Sequence, residues 1–149
     1  MPGREKKGRC SGAGRRMIVC LDTNIVIYLV EVNAVWTPKA DARLVRLRAA
    51  GDDVAVSDAA RLECLTKPLA AGNAVDVAAY RDFFANPLVR MLPVTAAVWE
   101  RAALVGATFQ LKPLDSVHLA TAIEHGCGLF LTNDADLSRC TSIPVEILT

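Results

Sequence analysis

Two apolar segments at opposite ends of the chain each lead into an aspartate. Residues 17–21 (Met-Ile-Val-Cys-Leu) precede Asp22, and residues 129–133 (Leu-Phe-Leu-Thr-Asn) precede Asp134. Each segment predicts a short buried strand that carries a carboxylate at its carboxyl end. Because ligands of open α/β sheets bind at the carboxyl ends of parallel strands, we expect both side chains at one edge of the sheet. Two like charges held together are unfavourable without a cation, so the pair indicates a metal site.

Two further carboxylates occupy positions from which they could join this pair. Glu63 lies in an apolar stretch of a predicted helix, where an unpaired charge is costly to bury. Asp115 lies in the first turn of another predicted helix. Ordinary explanations exist for each: an aspartate after a strand often caps a helix, and Glu63 could face solvent. If the carboxylates converge, two of them about 4 Å apart repel by about 4 kcal/mol at an effective dielectric constant of about 20.

The chemistry of these side chains favours Mg²⁺ or Mn²⁺ as the cation that relieves the repulsion. Oxygen ligands without nearby histidine or cysteine select these ions over Zn²⁺. Such an ion polarises a phosphoryl oxygen, lowers the pKa of a bound water and orients both for in-line attack. If they converge, Asp22, Glu63, Asp115 and Asp134 are the candidate catalytic and metal-ligating residues, and the reaction that such a site implies is hydrolysis of a phosphodiester. Asp136, two residues beyond Asp134, is an alternative fourth ligand.

Predicted strands and helices alternate along the chain. The strands cover residues 17–21, 54–56, 88–92, 129–131 and 145–148, and the helices about 22–31, 37–51, 57–67, 73–84, 95–108 and 114–124. Thr37 is expected to cap the second helix, Ser57 to cap the third, and Pro68 to lie just beyond the third. This alternation predicts a three-layer α/β/α sandwich with a mainly parallel central sheet, formed by one domain over residues 17–149.

The first 16 residues differ in charge from the rest of the chain. They hold six of the 17 basic residues but only one of the 16 acidic residues. They lack the apolar segment of a secretory signal. We therefore expect residues 1–16 to be a disordered basic extension, with an arm that contacts nucleic acid as the functional alternative.

The cysteines and the hydropathy of the chain indicate in which cellular compartment the protein is expected. The five cysteines form no C-x-x-C pair, which is typical of reduced thiols and predicts a cytoplasmic protein. No apolar run approaches the roughly 20 residues that span a bilayer.

Four segments together resemble a known family. They are residues 21–24 (Leu-Asp-Thr-Asn), Ser57 with Glu63 six residues later, residues 114–122 (Leu-Asp-Ser-Val-His-Leu-Ala-Thr-Ala) and residues 131–134 (Leu-Thr-Asn-Asp). On these motifs the chain resembles the PIN-domain ribonucleases, and among them the VapC-type toxins of type II toxin–antitoxin pairs. The resemblance spans residues 17–148, and its first and third segments are the most specific.

This resemblance implies a PIN-like parallel α/β/α fold, an acidic pocket that binds Mg²⁺ or Mn²⁺, and cleavage of RNA. It also implies a homodimer and an antitoxin whose C-terminal segment reaches the pocket. Carried over by motif, Asp22 and Asp115 are the firmest metal ligands. Glu63 completes the shell directly or through water, and Asp134 is the weakest of the four. The resemblance places the hydroxyl of Thr132 near the pocket.

Other polar and aromatic residues allow two interpretations each. His118 shares a helix face with Asp115 and could be a general base, although a packed histidine is the commoner case. Residues 39, 43 and 46 are basic and could bind phosphates or simply form a solvated helix face. Tyr28 and Trp36 could stack on a base or pack against the core. Asn24 is expected to brace the turn after the first strand.

Two other functional classes fit parts of the pattern. A phosphoacceptor receiver domain also uses strand-end aspartates with Mg²⁺, but needs a lysine at the end of a later strand. Lys112 is the last lysine of the chain, and no predicted strand precedes it directly. A non-catalytic PIN-like module that binds RNA or protein is the other alternative, and it is disfavoured because all four acidic positions are filled.

Overall fold

A five-stranded parallel sheet lies between two layers of helices in the computed structural model, which describes residues 16–149. The strands are β1 (Ile18–Leu21), β2 (Asp53–Ser57), β3 (Val89–Leu92), β4 (Leu129–Thr132) and β5 (Val145–Ile147). Every neighbouring pair is parallel, and the spatial order is β3-β2-β1-β4-β5. The three-layer α/β/α prediction is confirmed. The predicted disordered extension lies, but for residue 16, outside the described residues.

Six α-helices and one 3₁₀ helix surround the sheet in the described range. They are α1 (Thr23–Val30), α2 (Trp36–Ala49), α3 (Ala60–Ala70), α4 (Ala74–Ala85), α5 (Ala96–Phe109), α6 (Pro113–Glu124) and the 3₁₀ helix Ala135–Arg139. Alternate side chains of β1 separate the two layers. Val19 and Leu21 pack with α1 to α4, and Cys20 packs with α5 and α6. Both faces of the strand are buried, as its uninterrupted apolar sequence requires.

The strand order places a topological switch point between β1 and β4. From β1 the chain proceeds to β2 and β3 on one side, whereas β4 and β5 lie on the other side. Ligand sites of open α/β sheets form at such a point, outside the carboxyl ends of the strands. Receiver domains have the order 2-1-3-4-5 instead, and Lys112 precedes α6 rather than following a strand. The receiver-domain alternative is therefore wrong.

The beginning of α2 and both ends of α3 differ from the sequence-based prediction. α2 begins at Trp36, and the side chain of Asn33 accepts hydrogen bonds from two amides there. The hydroxyl of Thr37 instead donates to the carbonyl of Tyr28 at 2.7 Å, so it serves the end of α1. Pro68 lies inside α3 because its ring is buried on the same stripe as Ala60 and Cys64, which offsets the missing hydrogen bond.

The start of α3 determines where its carboxylate lies. Ser57 ends β2, and its hydroxyl accepts from the amide of Ala59 at 3.2 Å instead of capping the helix directly. Because α3 begins at Ala60, Glu63 lies in its first turn. The side chain is therefore closer to the carboxyl ends of the strands than a helix beginning at Ser57 would place it.

Two findings bear on the predicted cellular setting. Among residues 16–149, cysteines 20, 64, 127 and 140 are buried and form no disulfide. Over the same range, the helices are too short or too polar to cross a bilayer.

Edge strand β5 is fastened to α2 by one bidentate ion pair. Arg43 donates to both carboxylate oxygens of Glu146, from Nε at 2.6 Å and from Nη2 at 2.9 Å. The hydrogen bond from Arg43 lowers the pKa of Glu146. Paired planar groups of this kind are stronger than single surface contacts.

Replacing Glu146 by glutamine should destabilise the domain by about 0.5–1 kcal/mol at pH 7, since Glu146 is partly exposed and solvent screens the pair. Because the pKa of Glu146 is lowered in the folded state, its charge stabilises the fold at pH values above the unfolded-state pKa of about 4.3. This stabilisation is lost as the pH falls through the lowered pKa of the folded state. The difference between the proteins should therefore shrink below about pH 4. Urea denaturation at several pH values measures it. Glu124→Gln, which removes a single exposed bond to Arg101, is the control and should cost less.

Candidate active site

Asp22 lies at the junction between β1 and α1. Its backbone is extended (φ −68°, ψ 158°), and its Oδ1 accepts a hydrogen bond from the amide of Thr23 at 2.8 Å, so it caps α1. Its Oδ2 accepts from the hydroxyl of Thr132 at 2.7 Å. The residue is only 5% exposed. Burial raises the pKa of Asp22 despite these hydrogen bonds and the nearby His118, so the folded protein holds this charge at a cost.

The ends of β1 and β4 are joined by a side-chain network around Thr132. Its hydroxyl donates to Asp22 and accepts from the amide of Asp134 at 3.0 Å. The Asn24 amide group lies 3.3 Å from Asp22 Oδ2, and its carbonyl oxygen accepts from the amide of Asn133 at 3.3 Å. Asn24 therefore braces the turn as predicted, and the network fixes the position of the Asp22 carboxylate.

Asp134 and Asp136 differ in their surroundings. Asp134 begins the 3₁₀ helix after β4, and its Oδ1 accepts from the amide of Asp136 at 3.0 Å. Asp136 is exposed, whereas Asp134 is partly buried. The negative charge of Asp134 also raises the pKa of Asp115. These observations favour Asp134 as the fourth acidic residue of the site.

Asp115 lies in the first turn of α6, which begins at Pro113. Its pKa is raised by burial and by the charges of Asp22 and Asp134, in that order. Among residues 16–149 no hydrogen-bond donor contacts this carboxylate, which leaves both of its oxygens available. Asp115 is thus within the electrostatic field of the three other carboxylates, and the nearby His118 opposes their effect on its pKa.

Glu63 is held differently from Asp115. Its Oε1 accepts a hydrogen bond from the hydroxyl of Thr23 at 3.1 Å and is also in contact with Nε2 of His118. The contact with His118 lowers the pKa of Glu63, so this carboxylate is ionised in the folded protein. The side chain is 31% exposed, and the glutamate therefore lies at the rim of the site rather than in the core.

Sequence reasoning did not predict the contacts that Thr23 and His118 make with Glu63. Both residues are buried, and His118 is only 1% exposed, which makes it unsuited to be a base that meets substrate. The packed position that the sequence favoured for His118 is thus observed, but the ring also bonds to the site. The available signal was the spacing of three residues between Asp115 and His118, which places both on one face of α6.

The four carboxylates meet at one end of the sheet without forming a closed cage. Electrostatic effects on Asp22 and Asp115 connect all four residues. Within the described range, however, no three acidic, histidine or cysteine side chains are close enough to enclose an ion unaided. Mg²⁺ normally keeps several waters and binds one or two carboxylates together with substrate phosphates. An open acidic rim of oxygen donors fits that mode of binding.

The basic and aromatic residues of α1 and α2 are largely engaged with each other. Arg43 is paired with Glu146, and the Lys39 ammonium lies 4.8 Å from the centre of the Trp36 ring. That ring stacks on Tyr28 at 5.8 Å between centroids. The Tyr28 hydroxyl accepts from the Asn133 side chain at 2.7 Å. The Tyr28 contact supports the segment before Asp134. Of the predicted phosphate-binding stripe, Arg43 and Lys39 have partners, whereas Arg46 is exposed and forms no ion pair within residues 16–149.

Comparison with known families agrees with this arrangement. A family model described as the PIN domain matches residues 19–142, which is most of the chain. The chain belongs to the PIN domain family. The match includes all four acidic positions. No curated protein sequence matches significantly.

Several solved structures share the fold of this PIN domain. VapBC2 from Rickettsia felis, bound to a promoter DNA fragment, has a TM-score of 0.72 and 17% identity, covering 89% of this chain and 100% of that one. VapBC-1 from nontypeable Haemophilus influenzae has a TM-score of 0.71 and 19% identity, with coverages of 89% and 98%. Mycobacterium tuberculosis VapC20, described as a toxin that cleaves the sarcin–ricin loop, has a TM-score of 0.64 and 20% identity, with coverages of 80% and 92%.

Replacing Asp115 by asparagine should raise the melting temperature of the metal-free protein at pH 7 by roughly 2–4 °C, the shift that about 1 kcal/mol produces in a domain of this size. The substitution removes a repelled charge and breaks no hydrogen bond among the described residues. Because the pKa of Asp115 is raised in the folded state, its charge destabilises the fold at pH values above that pKa. Below the unfolded-state pKa of about 3.9 the group is neutral in both states and has no effect. The gain should therefore disappear as the pH falls towards 4. Asp82→Asn, on exposed α4 surface, is the control. Equal melting temperatures for the wild type and Asp115→Asn at pH 7 would contradict the repulsion.

Proposed function

We propose that this PIN domain is a metal-dependent endoribonuclease, the toxin of a toxin–antitoxin pair. One observation carries the catalytic part of the proposal. Asp22 is buried at the joined ends of β1 and β4, and the pKa of Asp115 is raised by its own burial and then by the negative charges of Asp22 and Asp134. A fold that keeps such a repulsion gains stability from a divalent cation at this point.

Asp22 and Asp115 would hold the cation, and Glu63 and Asp134 would complete the site directly or through water. The donors are all carboxylate oxygens, which suit Mg²⁺ or Mn²⁺. When bound, the ion supplies polarisation of a phosphoryl oxygen and a water of lowered pKa. The protein's own contribution is positioning, because Thr132 and the Thr23 amide hold the Asp22 carboxylate before any substrate arrives.

RNA and an antitoxin are the proposed partners. Support comes from membership of the PIN family, from the motifs at residues 21–24 and 114–122, and from a fold shared with structures described as toxin–antitoxin complexes. We further propose a cytoplasmic location and a homodimer, which light scattering of the purified protein would test. A short adjacent reading frame that encodes a DNA-binding protein would support the antitoxin.

A non-catalytic PIN-like module that binds RNA or protein is the second candidate. The open oxygens of Asp115 argue against it, because a carboxylate that only stabilises the fold is normally paired or hydrogen-bonded. RNA binding without metal and without cleavage, by folded protein free of any inhibitor, would favour this candidate over a nuclease.

With Mg²⁺ or Mn²⁺, the purified protein should cleave RNA internally, and Asp22→Asn or Asp115→Asn should reduce cleavage at least about 100-fold by removing a cation ligand. Product lengths on denaturing gels measure the rate. Asp58→Asn is the matched control, since within residues 16–149 that exposed carboxylate pairs only with Arg61, and it should leave cleavage unchanged. Cleavage that persists at the wild-type rate in both ligand variants would refute the mechanism.

Asp134→Asn should lower the cleavage rate, and Asp136→Asn should change it little. The reason is that the negative charge of Asp134 is among those that raise the pKa of Asp115, whereas Asp136 is exposed. The two variants change the same chemical group two residues apart, so each controls for the other. A larger loss in Asp136→Asn would reassign the fourth acidic position.

A further inference from the structure

His118 forms the only side-chain bond between α6 and α3 among the described residues. It lies in α6 one turn beyond Asp115, and the residue is 1% exposed. Its Nε2 contacts Glu63 Oε1 and lies 3.2 Å from the hydroxyl oxygen of Thr23 in α1. A ring so deeply buried cannot meet a polymeric substrate. Its chemistry is therefore directed at the other side chains of the site.

The partners of the ring show which nitrogen acts as the donor. An ionised carboxylate only accepts hydrogen bonds, so Nε2 must carry a proton to bond to Glu63. Nδ1 is buried and has no partner in residues 16–149. Among the described residues, the ring therefore acts on the site through Nε2.

The two oxygens of Glu63 have different roles as a result. Oε1 accepts from both the Thr23 hydroxyl and His118, whereas Oε2 contacts no donor within residues 16–149. The carboxylate is fixed in rotation by two donors from two other helices, and one oxygen is left free at the rim. Glutamate has several rotatable bonds, and fixing them in advance removes an entropic cost from any later binding step.

We propose that His118 is a positioning residue that orients Glu63 Oε2 toward the divalent cation, with Thr23 as its partner. This role rests on the proposed function, because it requires a cation at the acidic site. The proposal adds a fifth residue to the four acidic ones, and it explains how Glu63, at the rim of the site, can act as a ligand. Partners that hydrogen-bond to metal-ligating groups typically contribute 10- to 100-fold to metal affinity.

Calorimetric titration of the metal-free protein with Mn²⁺, without RNA, tests the role. His118→Leu removes the donor and should weaken Mn²⁺ binding about 10- to 100-fold. His118→Gln keeps an N–H near the position of Nε2 and should restore most of the affinity. His125→Gln is the matched control, since this second histidine bonds to the carbonyl of Pro93 at the other end of α6 and should leave binding unchanged.

A coupling measurement separates positioning from packing. In a Glu63→Gln background, His118→Leu should cause no further loss of Mn²⁺ affinity, because the group that it orients is gone. If His118→Leu does not fold, Thr23→Val is the substitute, because it removes the other donor to Glu63 Oε1. Thr23→Val should weaken Mn²⁺ binding about 2- to 10-fold.

Three results would overturn the role. The first is wild-type Mn²⁺ affinity in folded His118→Leu, or in Thr23→Val where the leucine variant does not fold. The second is an equal loss of affinity in His118→Leu and His118→Gln. The third is a full further loss when His118→Leu is added to the Glu63→Gln variant. Failure of the wild-type protein to bind Mn²⁺ is a separate result, which refutes the cation site and this role with it. Normal wild-type binding together with any of the three results refutes only the role of His118.

Discussion

The unfavourable burial of a carboxylate between two parallel strands is the constraint that organises this molecule. Asp22 is nearly inaccessible to solvent, and its pKa is raised by that burial. The amide of Asp22 donates to the carbonyl of Leu131 at 2.8 Å, so the end of β1 is fastened to β4 where the charge is placed. The hydroxyl of Thr132 and the amide of Thr23 then solvate the carboxylate in place of water.

The four acidic residues fall into two physical classes. Asp22 and Glu63 have hydrogen-bond donors from the protein, and these donors fix where their oxygens point. Asp115 has a raised pKa and no such donor among the described residues, so no hydrogen bond stabilises its charge there. In the proposed nuclease, such a site would combine rigid ligands with a group whose repulsion a cation relieves. Stability would then be lost locally in exchange for function, as is common at active sites.

Helix termini bring these groups together from distant parts of the chain. Asp22 caps α1, Glu63 lies in the first turn of α3 and Asp115 in the first turn of α6. The amino ends of helices carry partial positive charge, which favours carboxylates there. His118 then links the last two of these helices through Glu63. Arg43 and Lys39 on α2 have other contacts, since Arg43 pairs with Glu146 of β5 and Lys39 lies over the Trp36 ring.

The sequence alone determined the layers and the strands and supplied the four acidic positions as candidates, because apolar periodicity and strand-end aspartates are local signals. It did not determine that Pro68 continues α3, since the burial that compensates the proline depends on neighbouring elements. Nor could it show that Asp134 is partly buried while Asp136 is exposed, or detect the bond between Glu63 and His118, 55 residues apart. Those decisions belong to the tertiary structure, because they depend on which side chains are desolvated together and on which donors then lie within reach.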